Sequence, residues 1–468
     1  MTTIVPIGSL HGGQGLYRNV PVYISLMEDA IYYQDSKGVM LGNIDLDAVI
    51  GAASMKESRE DGPWKVIIYR YTFVDTMMGS CMKPSRLRKP NHVEFIMPGY
   101  EESQRWMNLI NGMVCKPYHP RSVDFENGDQ PRKRKFLVII NPHAGQGKST
   151  VIWHEVVKVM LREANVEFKL FVTEGVNHAY LYILSFDWHT YDAILTLGGD
   201  GTLAEVVNGL CNRDDGEQAL SRLVLAPVGG GTGNGLIKSI LYNSDEEYSI
   251  ENAVFAAVRG IPQPFDLAFV QTPNKKYHSF LLNIWGLLSD VDILSEGLRW
   301  MGEARLYFAA VYFILSRRVY SGRFSYLPTT AVSEPPNLLP PLNVPLPPEW
   351  EVIDGDFISI MIAQTSHCTV SSHSCPGAQL DDGVFSIQII REASRAQLVD
   401  LMLAFDQGEH VNHPCVFSYK AYGYRLEPFS QEGRYSLDGE LIEYGPIQGL
   451  IIKRRATTFR LDHSSHDV

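Results

Sequence analysis

The chain has 468 residues, of which 45% are hydrophobic, and a formal net charge of -12 at pH 7. This size predicts about two or three globular domains, and the negative charge argues against a protein that binds nucleic acid through phosphate contacts. The six cysteines are widely scattered and form no C-x-x-C pair, so neither a zinc ribbon nor a disulfide scaffold is expected.

The N-terminus, MTTIVPIGSLHGG, lacks a basic segment followed by an apolar one, so we expect no signal peptide. The most apolar run is LYFAAVYFIL, residues 306–315, which is flanked by Arg305 and Arg317. It is shorter than the roughly 20 residues that span a bilayer. We therefore expect a cytoplasmic protein that can lie against a membrane as a peripheral protein.

The first predicted domain, residues 1–118, is rich in β-strands. Apolar runs such as VPVYISL, AIYYQ, WKVIIYRYTF and HVEFIM are separated by the turn signals DSKG, EDG and KPN. The domain ends in YEESQRWMNLINGMV, in which one helical face carries Trp106, Leu109, Ile110 and Met113. Several strands followed by one helix with a tryptophan resemble a pleckstrin-homology-like domain. An accessory β-domain without a ligand is the alternative.

The rest of the chain is predicted to contain a linker and two further domains. Residues 119–132 form the polar linker, and the basic run 132–135 is predicted to be solvated. Over residues 133–262, apolar strands alternate with helices, which predicts an α/β domain with a parallel sheet. Residues 263–468 have the alternating runs of an antiparallel β-sandwich, interrupted by apolar helices and by an exposed proline-rich loop at 328–350.

The segment INPHAGQGKST, residues 140–150, looks like the end of a P-loop, whose pattern is G-x-x-x-x-G-K-[ST]. The first glycine of that pattern would fall at Pro142, which has no N–H group and a fixed φ. A P-loop is therefore excluded. The strand–turn–helix unit that remains suits a phosphate group at a helix N-terminus, and a solvated turn without a ligand is the alternative.

Other polar or glycine-bearing segments follow predicted strands at Thr173, at 198–202 and at 229–234. The carboxyl ends of parallel strands meet at one edge of the sheet, where ligands bind. The sharpest of these segments is GGDGT, which leads directly into a helix. Its aspartate, Asp200, is suited to act as a general base beside a phosphoryl group, or else it is only the N-cap of the helix.

GGDGT followed by EVVNGL resembles the diacylglycerol kinase catalytic family of lipid kinases, which includes ceramide and sphingosine kinases. The resemblance covers residues 133–455. Further motifs occur in the family's order: NPHAGQGK, PVGGGTGNGL, FLLNIWGLLSDVDILSEGLRWMGEARL, CPGAQLDDGVFSIQII and SLDGELIEYGPIQ. The resemblance implies an ATP-dependent lipid kinase with Asp200 as the general base. It also implies Mg²⁺ that is carried with ATP and not held by a cage of protein ligands.

The same resemblance implies a set of nucleotide-binding residues. They are Asn141, His143, Gly145, Thr173, Gly198, Gly199, Gly201, Thr202, Thr232, Gly233, Asn234, Glu296, Arg299, Arg305, Asp438 and Glu440. Two positions depart from the usual pattern: His143 stands where sphingosine kinases often have arginine, and Gly235 stands where alanine is usual. We expect that neither departure affects Asp200, the proposed base.

The block SDVDILSEGLRWMGEAR is most similar to sphingosine kinases, in which the second aspartate of D-V-D holds the amine of the lipid. That position is Asp292. A carboxylate gains roughly 1.5–3 kcal/mol from a charge-assisted bond to an ammonium group, whereas facing an uncharged lipid would only desolvate it. A structural salt bridge with a nearby arginine is the alternative role for Asp292.

The long chain of a sphingoid base needs an apolar pocket, since each buried methylene contributes ~0.8 kcal/mol. The expected lining residues are Leu287, Leu288, Leu306, Ala310, Leu398, Leu401, Met402, Phe405 and His410. Alternatively, these apolar residues are simply the core of the β-domain. The resemblance also implies bilayer contact through Phe308, Val311 and Tyr312. The partners expected are the sphingoid-base lipid and a membrane surface, with no nucleic acid, and a homodimer is left open.

Two other functions remain open from the sequence. A ceramide or diacylglycerol kinase is one, because a pleckstrin-homology-like domain is typical of ceramide kinases. The other is a membrane-binding adaptor with an inactive kinase domain, against which the intact glycines and acids argue.

Overall fold

The computed structural model describes residues 10–59, 61–76, 85–115, 132–145, 147–231, 233–295, 311, 314–315, 318–431 and 433–462. Its N-terminal strands are β1 (His11–Tyr17), β2 (Val20–Leu26), β3 (Ala30–Asp35), β4 (Met40–Asp45), β5 (Val49–Lys56), β6 (Trp64–Thr76) and β7 (Ser85–Met97). They form a seven-stranded sheet in the order β4-β3-β2-β1-β7-β6-β5. All of the pairings within it are antiparallel.

The predicted helix after these strands is confirmed as α1 (Tyr100–Cys115). Trp106 and Ile110 bury against the sheet because they lie on the apolar face that the spacing defines. The predicted turn at KPN is wrong, since β7 continues through it and Pro90 pairs opposite Tyr71. Strand β1 reaches β7 only at Ile96 in the described residues, so Pro90 lies where β7 is an edge, the position that tolerates proline.

The α/β prediction is confirmed. Strands β8 (Lys135–Ile140), β9 (Glu167–Val172), β10 (Ala193–Leu197) and β11 (Val224–Pro227) are parallel, in the order β11-β10-β8-β9. The helices are α2 (Ser149–Ile152), a π-helical turn (Trp153–Val157), α3 (Lys158–Glu163), α4 (His178–Ser185), α5 (Asp200–Cys211), α6 (Gly216–Arg222), α7 (Gly235–Asn243) and α8 (Ile250–Arg259). Every residue of β10 is buried, as expected of a strand with both faces covered.

The described part of the C-terminal region contains the predicted antiparallel strands and the helices α9 (Leu287–Ser295) and α10 (Arg395–Ala404), with a 3₁₀ turn at Glu409–Asn412. The strands are β12 (Ile261–Gln271), β13 (Lys276–Ser279), β14 (Leu282–Gly286), β15 (Tyr320–Pro328), β16 (Glu351–Phe357), β17 (Ser359–Ala363), β18 (Phe385–Ile390), β19 (Val416–Pro428), β20 (Tyr435–Leu437), β21 (Glu440–Ile442) and β22 (Ile447–Arg460).

The parallel and antiparallel strands belong to one 15-stranded sheet, whereas the sequence suggested two separate sheets. Strand β22, which has 14 residues, connects the parallel strands to the antiparallel ones. It pairs with β12 and β19 in the sandwich and, in parallel, with β11 at Thr457. Strand β22, the last strand of the described residues, therefore extends the parallel sheet of the α/β domain beyond β11.

Two segments that were predicted to be solvent-exposed are anchored to the fold. Residues 329–350 contain no helix or strand, as expected, but the buried Arg425 donates hydrogen bonds to the carbonyls of Pro340, Pro341 and Val344. In the basic run 132–135, Arg134 is 1% exposed and donates to the carbonyl of Val258. A guanidinium with several fixed donors can replace water with backbone carbonyls in this way.

Within the described residues, none of the helices is both long enough and apolar enough to cross a membrane. The predicted apolar helix at 306–315 lies outside the described residues except for Val311, Ile314 and Leu315. The linker at 119–132 is likewise undescribed except for Arg132.

Candidate active site

The carboxyl ends of β8, β10 and β11 open into one cavity of about 1230 Å³. It runs from the glycine turns at these strand ends to an apolar slot beneath α9 and α10. The predicted residues that line it are Asn141, His143, Gly145, Gly199, Asp200, Gly201, Thr202, Gly233, Leu287, Leu288, Asp292, Leu398, Leu401, Met402, Phe405, His410, Asp438 and Glu440. One cavity thus contains most of the residues predicted for both ligands.

Other predicted site residues do not line this cavity or cannot be placed. Thr173, Gly198 and Asn234 lie behind its wall. Outside the described residues are Thr232, Glu296, Arg299, Arg305, Leu306, Phe308, Ala310 and Tyr312.

The glycine turns pack backbone against backbone. Gly145 has φ +58, and a Cβ on it would lie 2.5 Å from the carbonyl oxygen of Gly230. A Cβ on Gly231 would lie 2.5 Å from the Cα of Gly199. These contacts require glycine, and they bring the turns together at the N-termini of α5 and α7, where backbone N–H groups favour an anion.

Polar side chains hold the turn after β8 against α5. The Asn141 side chain donates to Thr202 Oγ1 at 3.3 Å and accepts from the His143 backbone N–H at 3.0 Å. Thr173 is 4% exposed, and its N–H continues the ladder by donating to Ile140 at 2.8 Å. A Cβ on Gly198 would collide with the Thr202 side chain at 2.5 Å. Thr173 and Gly198 therefore do not line the cavity but support the turns that do.

Asp200 is the first residue of α5, and the N-cap is Gly199, so Asp200 does not cap its own helix. Its carboxylate instead accepts the N–H groups of Gly235 at 2.9 Å and Leu236 at 3.4 Å, at the start of α7. The expectation that the departure at Gly235 does not affect Asp200 is therefore wrong, since the Gly235 backbone binds this carboxylate directly. Burial raises the pKa of Asp200 above its ordinary value, while these N–H groups act in the opposite direction. The helix terminus fixes the orientation of a carboxylate in the cavity wall.

The two aspartates of S-D-V-D have different surroundings. Asp290 is buried, accepts the Tyr320 hydroxyl at 2.6 Å and forms ion pairs with Arg434 at 3.0 Å and Arg318 at 3.7 Å. Asp292, two residues on, lines the cavity and accepts the Ser436 hydroxyl at 2.6 Å. The ion pairs with Arg434 and Arg318 therefore involve Asp290, while Asp292 lies at the cavity surface.

The two acids of L-D-G-E also differ. The carboxylate of Asp438 is buried and organises a turn, accepting hydrogen bonds from Ser279 Oγ and from the N–H groups of Phe280, Leu281 and Leu282 at 2.8–3.2 Å. Burial raises its pKa to about 6. Glu440 is exposed, and its Oε1 lies 2.9 Å from where a Cβ on Gly201 would be. Glu440 therefore faces the start of α5, whereas Asp438 holds the wall.

The apolar slot is formed mainly by α9 and α10. Leu287, Leu398 and Leu401 are buried along it. At its far end, the Phe405 ring stacks on His410 with centroids 4.1 Å apart. Burial lowers the pKa of His410 to about 4, so its imidazole is neutral near pH 7.

Several cavity residues were not predicted. The slot also contains Val291, Ile314, Met361 and Ile390, which look like ordinary core residues in the sequence. The cavity is also lined by Asn208, whose side chain accepts the N–H of His278 at 2.8 Å and donates to the His278 carbonyl at 2.9 Å. The EVVNGL stretch includes Asn208, so that motif could have indicated it.

Comparisons with known proteins agree with this architecture. Residues 135–270 match the diacylglycerol kinase catalytic domain, and residues 349–454 match the YegS C-terminal NAD kinase beta sandwich-like domain. A solved Bacillus anthracis str. Sterne structure assigned as a diacylglycerol kinase covers 72% of this chain and 98% of its own, at 19% identity and a TM-score of 0.54. That likeness concerns the fold alone. The chain thus combines a diacylglycerol kinase catalytic domain of α/β fold with a C-terminal β-sandwich-like domain.

Three relatives show which family of kinases the chain belongs to. Sphingosine kinase 1 of Rattus norvegicus is 33% identical, with 70% of this chain and 91% of the relative covered. Sphingosine kinase 1 of Homo sapiens is 31% identical, with coverage of 69% and 90%, and sphingosine kinase 2 of Arabidopsis thaliana is 31% identical, with coverage of 67% and 70%. The chain belongs to the sphingosine kinase family.

Proposed function

We propose that this chain transfers the γ-phosphoryl group of ATP to the primary hydroxyl of sphingosine or a related sphingoid base, giving sphingosine 1-phosphate from sphingosine. The observation that carries the proposal is the arrangement of the single cavity. Asp200 lies beside the glycine turns, and Asp292 lines the same cavity on α9, the helix that also lines the apolar slot. A lipid with a hydroxyl, an amine and a long chain matches these surroundings.

Each aspartate has a separate role in this proposal. Asp200 accepts the proton of the primary hydroxyl while the phosphoryl group transfers in line. The N–H groups of Gly235 and Leu236 keep its carboxylate in place. Asp292 binds the ammonium group, and the chain lies against Leu287, Leu398 and their neighbours.

We assign the phosphates of ATP to the glycine turns, because the close contacts of Gly145 with Gly230 and of Gly231 with Gly199 bring backbone from three strand ends together beside the cavity. The N-termini of α5 and α7 add a favourable field for negative charge. Magnesium would arrive with ATP and supply charge neutralisation at the transferred group. Arg299 and Arg305, outside the described residues, are proposed to add positive charge.

We also propose that residues 1–118 form a pleckstrin-homology-like domain, and that the protein is cytoplasmic and binds membranes peripherally. The antiparallel sheet closed by α1, with Trp106 2% exposed, supports the first part. The apolar side chains of Val311 and Leu315, which are 49% and 64% exposed, support the second, because they lie beside Ile314 of the slot.

The decisive experiment compares radiolabel transfer to sphingosine, phytosphingosine, ceramide and diacylglycerol by the wild type and by Asp292→Asn. We expect the wild type to prefer the amine-bearing lipids. Asp292→Asn should lower kcat/KM for sphingosine about tenfold to hundredfold, the equivalent of a lost charge-assisted bond.

Asp354→Asn, which removes an exposed partner of Arg323, is the matched control and should leave transfer unchanged. Equal use of sphingosine and ceramide by the wild type would favour the ceramide kinase alternative. Preferred use of diacylglycerol would favour a diacylglycerol kinase. Absence of ATP binding by the full chain would favour the adaptor.

A further inference from the structure

The N-terminal sheet contacts the α/β domain through a buried ion pair. Arg88 on β7 is 4% exposed, and its guanidinium contacts the carboxylate of Glu246 at 2.6–3.1 Å. Glu246, in the segment between α7 and α8, is 3% exposed. The guanidinium also lies over the rings of Phe255 at 3.6 Å and Phe73 at 4.1 Å. Charge, hydrogen bonds and cation–π contacts together define one geometry for this pair.

The same segment is also held by hydrogen bonds between the Asn252 side chain and backbone groups of β7. The Asn252 side chain accepts the N–H of Arg88 at 2.9 Å and donates to the carbonyl of Arg86 at 2.8 Å. It also donates to the carbonyl of Glu247 at 3.0 Å. Strand β7 of the N-terminal sheet therefore holds residues 246–252 through side-chain and main-chain bonds.

Tyr248 extends from this segment to the glycine-rich turn after β11. Its hydroxyl donates to the carbonyl of Val228 at 3.5 Å and accepts from the Asn234 side chain at 3.4 Å. A Cβ on Gly229, which has φ +90, would lie 2.2 Å from that hydroxyl oxygen. Residue 229 must therefore be glycine for Tyr248 to reach the turn.

Asn234 connects Tyr248 to Gly231, the part of the turn that lines the cavity. Its side chain accepts the N–H of Gly231 at 3.1 Å and donates to the Gly231 carbonyl at 2.9 Å. Gly231 in turn packs on Gly199, the N-cap of α5. A continuous set of contacts thus joins β7 to the phosphate-facing backbone.

We infer that Tyr248 is a positioning residue for nucleotide binding, and that the N-terminal domain holds it in place through Arg88 and Glu246. The inference rests on the proposed use of ATP, and it does not depend on which lipid is phosphorylated. It gives the N-terminal domain a role in the kinase site that requires no ligand of its own. It also means that a fragment beginning at residue 133 would lack Arg88, so tests of nucleotide binding need the full chain.

The test measures the Kd of a fluorescent ATP analogue and the KM values for ATP and sphingosine. Tyr248→Phe removes one hydroxyl, and we expect the ATP analogue Kd and the ATP KM to rise about twofold to tenfold, the range of one hydrogen bond. The sphingosine KM should not change. Tyr422→Phe is the matched control, because it removes a hydroxyl that donates to the Ser333 carbonyl in the sandwich, and it should leave nucleotide binding unchanged.

The link to the N-terminal domain is tested with Arg88→Met alone and combined with Tyr248→Phe. We expect Arg88→Met to weaken nucleotide binding. The double variant should lose no more affinity than the single variant with the larger loss, because both substitutions act through the same contacts. Arg88→Lys replaces Arg88→Met if the latter does not fold, because it keeps a charge beside Glu246.

Unchanged nucleotide affinity in Tyr248→Phe would overturn the positioning role of Tyr248. Fully additive effects of the two substitutions would overturn the connection to Arg88. Weakened nucleotide binding in both variants, with a wild type that phosphorylates no sphingoid base, would uphold this inference and refute the proposed function.

Discussion

Burial and helix-terminal N–H groups act on Asp200 in opposite directions. Burial raises its pKa, and the N–H groups of Gly235 and Leu236 favour the charged form. The net effect is a pKa of Asp200 above its ordinary value. A base with a raised pKa binds a proton more strongly, which suits the removal of a proton from a hydroxyl.

Substitution of Asp200 by asparagine should lower kcat about 10²- to 10⁴-fold, the usual contribution of a general base. The fold should persist, because an amide oxygen can still accept the N–H of Gly235. The measurement is radiolabel transfer to sphingosine together with a thermal unfolding curve. Near-normal turnover in a folded Asp200→Asn variant would contradict the assignment.

The wild type should also show the raised pKa of Asp200 in its pH dependence. The base is active when ionised, so kcat is retained above its folded pKa and falls as pH decreases through it. Because burial raises that pKa, the decline should occur at a higher pH than the value of about 3.9 of an ordinary aspartate.

Helix α10 is the element whose stability should control lipid binding. It begins with a capping box in which Ser394 accepts the N–H of Gln397 at 3.3 Å and Gln397 accepts the N–H of Ser394 at 2.9 Å. Leu398 and Leu401, on its first turns, line the slot. Losing such a cap costs about 0.5–2 kcal/mol, which would let the first turn fray.

We therefore expect Ser394→Ala to raise the KM for sphingosine about twofold to tenfold while the KM for ATP stays constant. Steady-state kinetics with each substrate varied in turn provides the measurement. Ser249→Ala is a matched control, because it removes the side chain that accepts the Asn252 N–H at the start of α8, away from the slot. An equal rise in the sphingosine KM in both variants would refute a specific role for α10.

Sequence patterns predicted the elements whose burial leaves a local signature. Strand β10 is apolar except for Thr196 because both of its faces are covered, and the turn that follows it contains the glycines that close packing requires. Asp200 and Asp292 could be selected because each belongs to a recognisable motif. The distinction between Asp290 and Asp292 needed the structure, since positions two residues apart on a helix face different directions and the sequence does not show which one faces the cavity.

Long-range contacts could not be predicted in the same way. Strand β22 pairs with β11 across a separation that the sequence does not encode locally. Arg425 binds carbonyls of the proline-rich loop, and Arg88 binds Glu246, although all of these residues look like ordinary surface positions in the sequence. Their partners are fixed by the tertiary fold alone.

At the scale of the whole molecule, the described parts form two sheets that are joined by one apolar cluster. The largest apolar cluster contains Ile50 and Tyr71 of the N-terminal sheet, Val138 of β8, and Leu282 and Met361 of the sandwich. If the N-terminal sheet unfolded alone, it would expose apolar surface of the α/β domain, and this shared surface favours a cooperative transition.

We therefore predict one thermal unfolding transition for the full chain by scanning calorimetry, rather than one for each domain. A non-hydrolysable ATP analogue at 100 times its Kd adds about 2.7 kcal/mol to the folded state and should move the entire transition upward, by on the order of a few degrees. Arg88→Met is the informative comparison, because it removes the guanidinium from the buried carboxylate of Glu246 and so weakens the contact between the N-terminal sheet and the segment before α8. In that variant the N-terminal sheet should unfold earlier, as a separate transition that the nucleotide does not shift. Two transitions in the wild type, with only one shifted by nucleotide, would contradict the shared core as the source of cooperativity.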